Sequence, residues 1–224
     1  MVQKLHISYN QIHKNLQDAV VRHRINEDFQ PDIMIAIGGG GFIPARILRT
    51  FLHKRNNKNI PIQAIGLSLY EELEQWDAEN ETLKSHRTDS GSVTPTVPVP
   101  PSVTKTQWLN FGGSDSLANL VGRNILIVDE VDDTRQTLSY AVQELLRDIE
   151  KQQRESDNPA PTKLGVFVLH NKVKQKKASL PDEIMKNYFA CVDMPDNWLV
   201  YPWDAINIDE HTEKANAGEL IDEP

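Results

Sequence analysis

Asp129 and Glu130 stand side by side immediately after the short apolar run Ile125 to Val128, and Asp132, Asp133, Thr134, Arg135, Gln136 and Thr137 follow them. Adjacent carboxylates suit the vicinal hydroxyls of a sugar, or Mg²⁺ held through water, because hard oxygen ligands match a hard cation. Asp133 to Thr137 brings hydroxyls, N–H donors and a guanidinium to the start of Leu138 to Ile149, whose apolar spacing predicts a helix. Backbone N–H groups at a helix start favour an anion, so this run suits a phosphate. Read alone, the same residues describe a solvated acidic loop with Asp or Thr as a helix cap. The buried strand that feeds them argues for a site instead, because α/β sheets present ligands at the ends of parallel strands.

Gly38 to Gly41 follow the apolar run Asp32 to Ile37 and precede a helical pattern at Phe42, Ile43, Ala45, Ile47, Leu48 and Phe51, with Pro44 tolerated in its first turn. Glycine lets backbone approach a ligand closely, and free N–H groups in such a turn can wrap a pyrophosphate. Tight packing of strand on helix is the plainer account. Neither G-x-G-x-x-G nor G-x-x-x-x-G-K-[ST] is spelled here, so neither a dinucleotide site nor a Walker loop is supported. A third stretch, Met194 to Asp204, is dense in aromatic and acidic residues. Trp198 offers a flat face for a stacked base, with main-chain groups of Trp198 and Leu199 to read its exocyclic edges. Trp203 reads as core.

The elements that must position these residues follow from periodicity. Ile12, Leu16, Ala19 and Val20 fall at helical spacing between Ser8 and Arg24, with Ser8 or Asn10 as the cap. Ile60 to Leu69 and Leu164 to Leu169 read as further strands. Strands alternating with helices predict an α/β fold with a mostly parallel central sheet flanked by helices. From about Glu71 to Thr104 the chain turns charged, then rich in Ser, Thr, Pro and Val, and Pro100-Pro101 excludes a central strand. That stretch is expected to be a long flexible lid loop. Arg154 to Thr162 reads as a surface connection. The acidic chain after Asp209 is expected to fray, with a helix start at Glu210 as the alternative.

The length fits a single domain with a real core. A net charge of −8 argues against a general nucleic-acid binder, which needs a basic stripe. The lone cysteine, Cys191, excludes an intrachain disulfide and reads as a small buried hydrophobe. The first residues carry no apolar h-region and no run is long enough to span a bilayer, so the chain is expected to be soluble and cytoplasmic.

Asp129, Glu130, Val131, Asp132, Asp133, Thr134, Arg135, Gln136 and Thr137 resemble the phosphoribosyl-pyrophosphate signature of the type I phosphoribosyltransferases, in which two acidic residues and two spacers lead into Asp-Thr-Gly-x-Thr. Arg135 stands where that family usually has Gly. A positive φ there would strain it, and its guanidinium is free to reach a phosphate. Met194 to Asp204 resembles the base-binding hood of the 6-oxopurine members, and the whole order of motifs is most similar to the fungal hypoxanthine-guanine and xanthine enzymes.

The resemblance implies one domain over residues 1–212, with the lid at about 71–104, a small C-terminal hood at about 178–212 and an acidic tail at 213–224. It implies Mg²⁺ as cofactor, contacted by Asp129, Glu130 and Asp204, partly through water. Gly38 and Gly39 would form the pyrophosphate turn and carry a non-proline cis peptide between them. In relatives a Lys or Arg often occupies the position of Gly39, so here backbone donors must serve. Asp129, Glu130, Asp133, Thr134, Arg135, Gln136 and Thr137 would bind phosphoribosyl pyrophosphate. Asp133 would act as general base or acid at the purine N7. Lys172 would meet the purine 6-oxo group, Trp198 would stack, Leu199 and Asp204 would line the base pocket, and Ser68 and Tyr70 would begin the lid. Lys174, Lys176 and Lys177 read as a solvated face. The implied reaction converts a 6-oxopurine and phosphoribosyl pyrophosphate to a nucleoside monophosphate and pyrophosphate, in a homodimer by family analogy. The alternative is a regulatory protein of the same fold that binds phosphoribosyl pyrophosphate or nucleotide without turnover.

Overall fold

The computed structural model describes residues 2–69, 103–109, 119–155, 160–218 and 220–223. Tyr70 and most of the expected lid lie outside these residues.

Ser8 caps the first helix, α1 (Tyr9–Arg22), through a reciprocal capping box with Gln11, and Ile12, Leu16, Ala19 and Val20 form its buried stripe. Strand β2 (Ile33–Gly38) is buried from Ile33 to Ile37, and the glycine turn delivers the chain into α2 (Phe42–Phe51). Strand β3 (Ile62–Leu69) pairs antiparallel with β4 (Val103–Gln107), Ser68 opposite Thr104, so Val103 and Thr104 belong to a strand and not to a loop. Lys105 pairs with Glu144 and the Trp108 Nε1 donates to Asp148 at 2.7 Å, clamping this edge onto the following helix.

Strand β5 spans Asn124–Asp132, longer than its apolar run, and stays in register with β6 (Lys163–Lys172) as far as Asp132 opposite Asn171. The expectation that Asp129 and Glu130 lie beyond the strand is therefore corrected: they sit inside its last turns of pleat. Helix α3 (Gln136–Glu155) follows, then a short α4 (Asp182–Met185) and β7 (Tyr188–Met194). The main sheet has the order β4-β3-β2-β5-β6-β7, parallel except at β4.

Period-2 alternation assigns β5 to two cores. Leu126 and Val128 join Ile12, Leu16 and Leu48 on the α1–α2 side, whereas Ile125 and Ile127 join Leu138, Val142 and Leu145 on the α3 side. Each such side chain contributes roughly 1.5–3 kcal/mol on burial, so both faces hold the strand rigid beneath whatever its end carries.

A second, small sheet was not visible in the sequence. β1 (Val2–His6) pairs parallel with β8 (Trp198–Val200) and antiparallel with β9 (Ile221–Glu223). Between them a 3₁₀ turn (Pro202–Asp204) leads to α5 (Ile208–Ala217), capped by Asn207. The chain after Asp209 thus completes a helix and a strand where fraying was expected. His211 Nε2 lies 2.9 Å from the Ile7 carbonyl and its ring meets His6 edge-on, which fastens the helix to β1. Among the described residues no helix is long and apolar enough to cross a membrane.

Candidate active site

The chain leaves β2 toward β3 on one side and returns to β5 on the other, so neighbouring β2 and β5 form the point at which the strand order reverses. Such points leave a crevice at the carboxyl ends of the strands. Here it is a cleft of about 610 Å³ lined by Gly38 to Gly40, Asp129 to Leu138, Ile37, Leu67 and Trp198. The three stretches singled out in the sequence meet in it.

The glycines are explained by close approach. A Cβ on Gly41 would lie 2.4 Å from the Val128 carbonyl and 2.6 Å from that of Ile37, so only glycine lets α2 start this close to β5. A Cβ on Gly40 would fall within about 2 Å of the Glu130 carboxylate, so its absence makes room for that carboxylate over the turn. At Gly39 nothing lies within 4 Å, and the Gly38-Gly39 peptide is cis, as expected.

Asp129 is buried, and its Oδ1 accepts the backbone N–H of Glu130 at 3.0 Å. Burial, then the neighbouring Glu130 charge, pushes its pKa well above the ordinary carboxylate value. Behind the pair runs a buried chain of hydrogen bonds. The Tyr201 hydroxyl donates to the Glu130 carbonyl at 3.2 Å and lies 2.9 Å from His170 Nδ1, which donates to it in turn. Burial lowers the pKa of His170 to about 4, so the imidazole is neutral, and burial raises that of Tyr201. Trp203 stacks on Tyr201 at 4.5 Å and belongs to the core, as expected.

The next loop is shaped by Asp132, which the sequence reading treated as a spacer. Its side chain is fully buried and gathers Arg135 (2.9 and 2.7 Å), the Tyr188 hydroxyl (2.7 Å) and Lys176 (3.4 Å). Arg135 does have a positive φ, 69°. Its guanidinium, however, is held by Asp132 and lies over the Tyr188 ring, which corrects the expectation that it is free to reach a phosphate. Burial opposes its charge, but the bonds to Asp132 win and raise its pKa. The first turn of α3 can still offer backbone N–H groups to an anion, that of Gln136 meeting Thr134 Oγ1 at a long 3.5 Å. Lys177 N donates to the Thr134 carbonyl at 3.0 Å and closes the loop from behind.

Lys172, Lys174 and Lys176 alternate with exposed Val173, Gln175 and Lys177. Lys176 Nζ donates to the carbonyls of Asp132, Asp133 and Lys172 at 2.6, 3.0 and 2.8 Å, and burial lowers its pKa. Lys174 pairs with Asp133 and Asp196. Neither is the solvated lysine expected; their two-residue spacing was the signal missed. Lys172 Nζ stands 3.5 Å from Asp133 Oδ1 and 3.3 Å from Asp196 Oδ1 and is not among the residues lining the cleft.

Trp198 lines the cleft and is 59% exposed, and among the described residues no ring packs on its face. Leu199 is half-buried beside it. Ser68 and Asp204 are not on the lining, and among the described residues no three acidic, His or Cys side chains gather as a metal cage. Cys191 is buried and its thiol pushed up to about 12 by that burial, an inert group as expected.

No protein-family model matches the chain. Single relatives match over nearly the whole length. The chain is 50% identical to a hypoxanthine-guanine phosphoribosyltransferase of Schizosaccharomyces pombe, covering 97% of each. It is 48% identical to xanthine phosphoribosyltransferase 1 of Saccharomyces cerevisiae, covering 96% of each. Among solved structures it resembles a Neisseria gonorrhoeae protein with bound ppGpp, at 37% identity and a TM-score of 0.69, covering 98% of this chain and 99% of that one. Relatives this similar, matched over nearly the whole of both chains, show that the protein belongs to the hypoxanthine-guanine and xanthine phosphoribosyltransferase family.

Proposed function

We propose that the protein transfers the phosphoribosyl group of phosphoribosyl pyrophosphate to a 6-oxopurine, releasing pyrophosphate and a nucleoside 5′-monophosphate, in purine salvage. The observation that carries this is the meeting of the glycine turn, the Asp129–Thr137 segment and Trp198 in one cleft. Each suits a different part of the substrates. The turn at Gly38 and Gly39 offers backbone N–H groups to the pyrophosphate. Asp129 and Glu130 suit the ribose hydroxyls, and the loop from Thr134 to Thr137 suits the 5′-phosphate. Trp198 stacks on the base. Lys172 donates to its 6-oxo group, and Asp133, beside Lys172, handles the N7 proton. The reacting carbon develops positive charge, so position and charge carry the rate and no covalent nucleophile is required.

The residues fit Mg²⁺. Two adjacent carboxylates, one buried and pushed toward its protonated form, are a spot that a cation relieves. Mg²⁺ is commonly held by one or two carboxylates together with substrate oxygens rather than by a protein cage. Asp129 and Glu130 would hold it here, with Asp204 contacting it through water. Its chemistry would be to spread the charge of the departing pyrophosphate.

Incubating the protein with phosphoribosyl pyrophosphate, Mg²⁺ and hypoxanthine, guanine or xanthine in turn tests the reading. Pyrophosphate release is expected with at least one base and its loss on chelation. Silence with all of them overturns it. The rival, a sensor that binds nucleotide without turnover, draws on the ppGpp-bound Neisseria relative; the same assay separates the two. The reading also makes the protein a cytoplasmic homodimer, and sedimentation of the purified chain tests the oligomer.

A further inference from the structure

Asp133, Lys172, Lys174 and Asp196 form a closed square of alternating charges. Lys172 Nζ touches Asp133 Oδ1 and Asp196 Oδ1 at 3.5 and 3.3 Å, and Lys174 Nζ touches the same oxygens, that of Asp196 at 3.0 Å. The lysines are the better buried members, with side chains 12% and 25% exposed against 42% and 51% for the acids. Three separate segments meet here: the loop after β5, the end of β6 with the run that follows it, and the turn between β7 and β8. Asp196 stands two residues before Trp198 in that turn. The Asp196 carboxyl is held below the ordinary range, first by its bond to Lys174.

Both carboxylates are partly exposed, so each holds its lysine by a screened attraction, and a second lysine left in place makes the first one's departure easier. We propose that Lys174 and Asp196 are positioning residues for capture of the purine: Lys174 keeps Asp133 and Asp196 neutralised when Lys172 turns to the 6-oxo group, and Asp196 aims Lys172 while tethering the Trp198 turn. This rests on the proposed role of Lys172. Without Lys174, Lys172 is the sole cation for two carboxylates and is held back from the base. With Asp196 also neutral, one carboxylate remains and Lys172 is released.

The test is steady-state kinetics of Lys174→Met, Lys174→Arg, Asp196→Asn and the double variant Lys174→Met/Asp196→Asn, with purine and phosphoribosyl pyrophosphate varied separately. Lys174→Met is expected to raise KM for the purine about fivefold, the scale of one partly exposed charge pair, with KM for phosphoribosyl pyrophosphate unmoved. Lys174→Arg restores most of this, and Lys174→Met has little further effect in the Asp196→Asn background. Equal rises in both KM values, no rise, or the same rise in both backgrounds each overturn the proposal. An inactive wild-type protein would instead sink the transferase reading, so the two failures are told apart.

Discussion

Replacing Arg135 by Gly restores the residue usual in the family, and local geometry alone predicts a gain. Arg135 has a φ of 69°, where a side chain costs about 1–2 kcal/mol and glycine costs nothing. Part of that gain is returned, because glycine frees the unfolded chain by about 0.4–1 kcal/mol. Against the remainder stands the Asp132 carboxylate, whose side chain has no exposure to solvent. Removing one partner of a buried ion pair costs about 3–5 kcal/mol because the other charge stays buried. Lys176 and the Tyr188 hydroxyl remain on Asp132, which favours the low end.

The balance is a net loss of about 2–4 kcal/mol, a fall in Tm of roughly 10 °C for a chain of this size. Arg135→Ala should be worse than Arg135→Gly, since it keeps the strained φ and loses the same bonds. Thermal and urea unfolding would rank the three proteins wild type, Gly, Ala. In an Asp132→Asn background the Gly substitution should cost less by about 2 kcal/mol, as the charge left behind is gone. A glycine variant as stable as the wild type would refute the reasoning: the guanidinium would then contribute nothing to Asp132, and the loop would need another explanation.

The remaining predictions concern the floor and rim of the cleft. Gly40→Ala should fold normally but raise KM for phosphoribosyl pyrophosphate, because the added methyl displaces the flexible Glu130 carboxylate; Gly41→Ala meets backbone carbonyls instead and should lower Tm. Tyr201→Phe should cost about 1–3 kcal/mol in urea unfolding, the price of a buried acceptor and donor losing their partner. Trp198→Ala should weaken purine binding with stability within about 0.5 kcal/mol of wild type, since the ring is mostly exposed; an unchanged KM for the base would count against stacking. His170, lowered to about 4 in the folded protein, takes its proton in the unfolded chain first as pH falls. Its contribution is thus constant above about pH 6.5 and lost between there and pH 4, up to about 3 kcal/mol, and His170→Asn should flatten the stability profile over that window.

The site was legible where side-chain type meets one role at fixed spacing. The acidic pair, the Asp133–Thr137 run, Gly38 to Gly40 and an exposed Trp198 all fell into one cleft as the sequence suggested. The small sheet was not legible, because β1, β8 and β9 are short and their pairing joins the two ends of the chain, which no local pattern records. Yet that pairing, Lys4 opposite Trp198, sets where the aromatic face stands.

The other misreadings share one physical cause. Charge was taken as a sign of solvent, so β5 was ended at Val128 and Lys174 and Lys176 became a wet surface, while the signature's pattern left Asp132 a spacer. In the fold Asp132, Lys174 and Lys176 each have an opposite partner or several carbonyls within hydrogen-bond distance. A charge so compensated can remain inside a strand or under a loop, and a region that must bind a polyanion needs such compensation in place before the ligand arrives. Polarity therefore marks the edges of elements in most of this chain and fails in the segment where the site is built. Where a run of carboxylates is followed downstream by lysines at every second residue, the two should be read as one buried network that continues the strand.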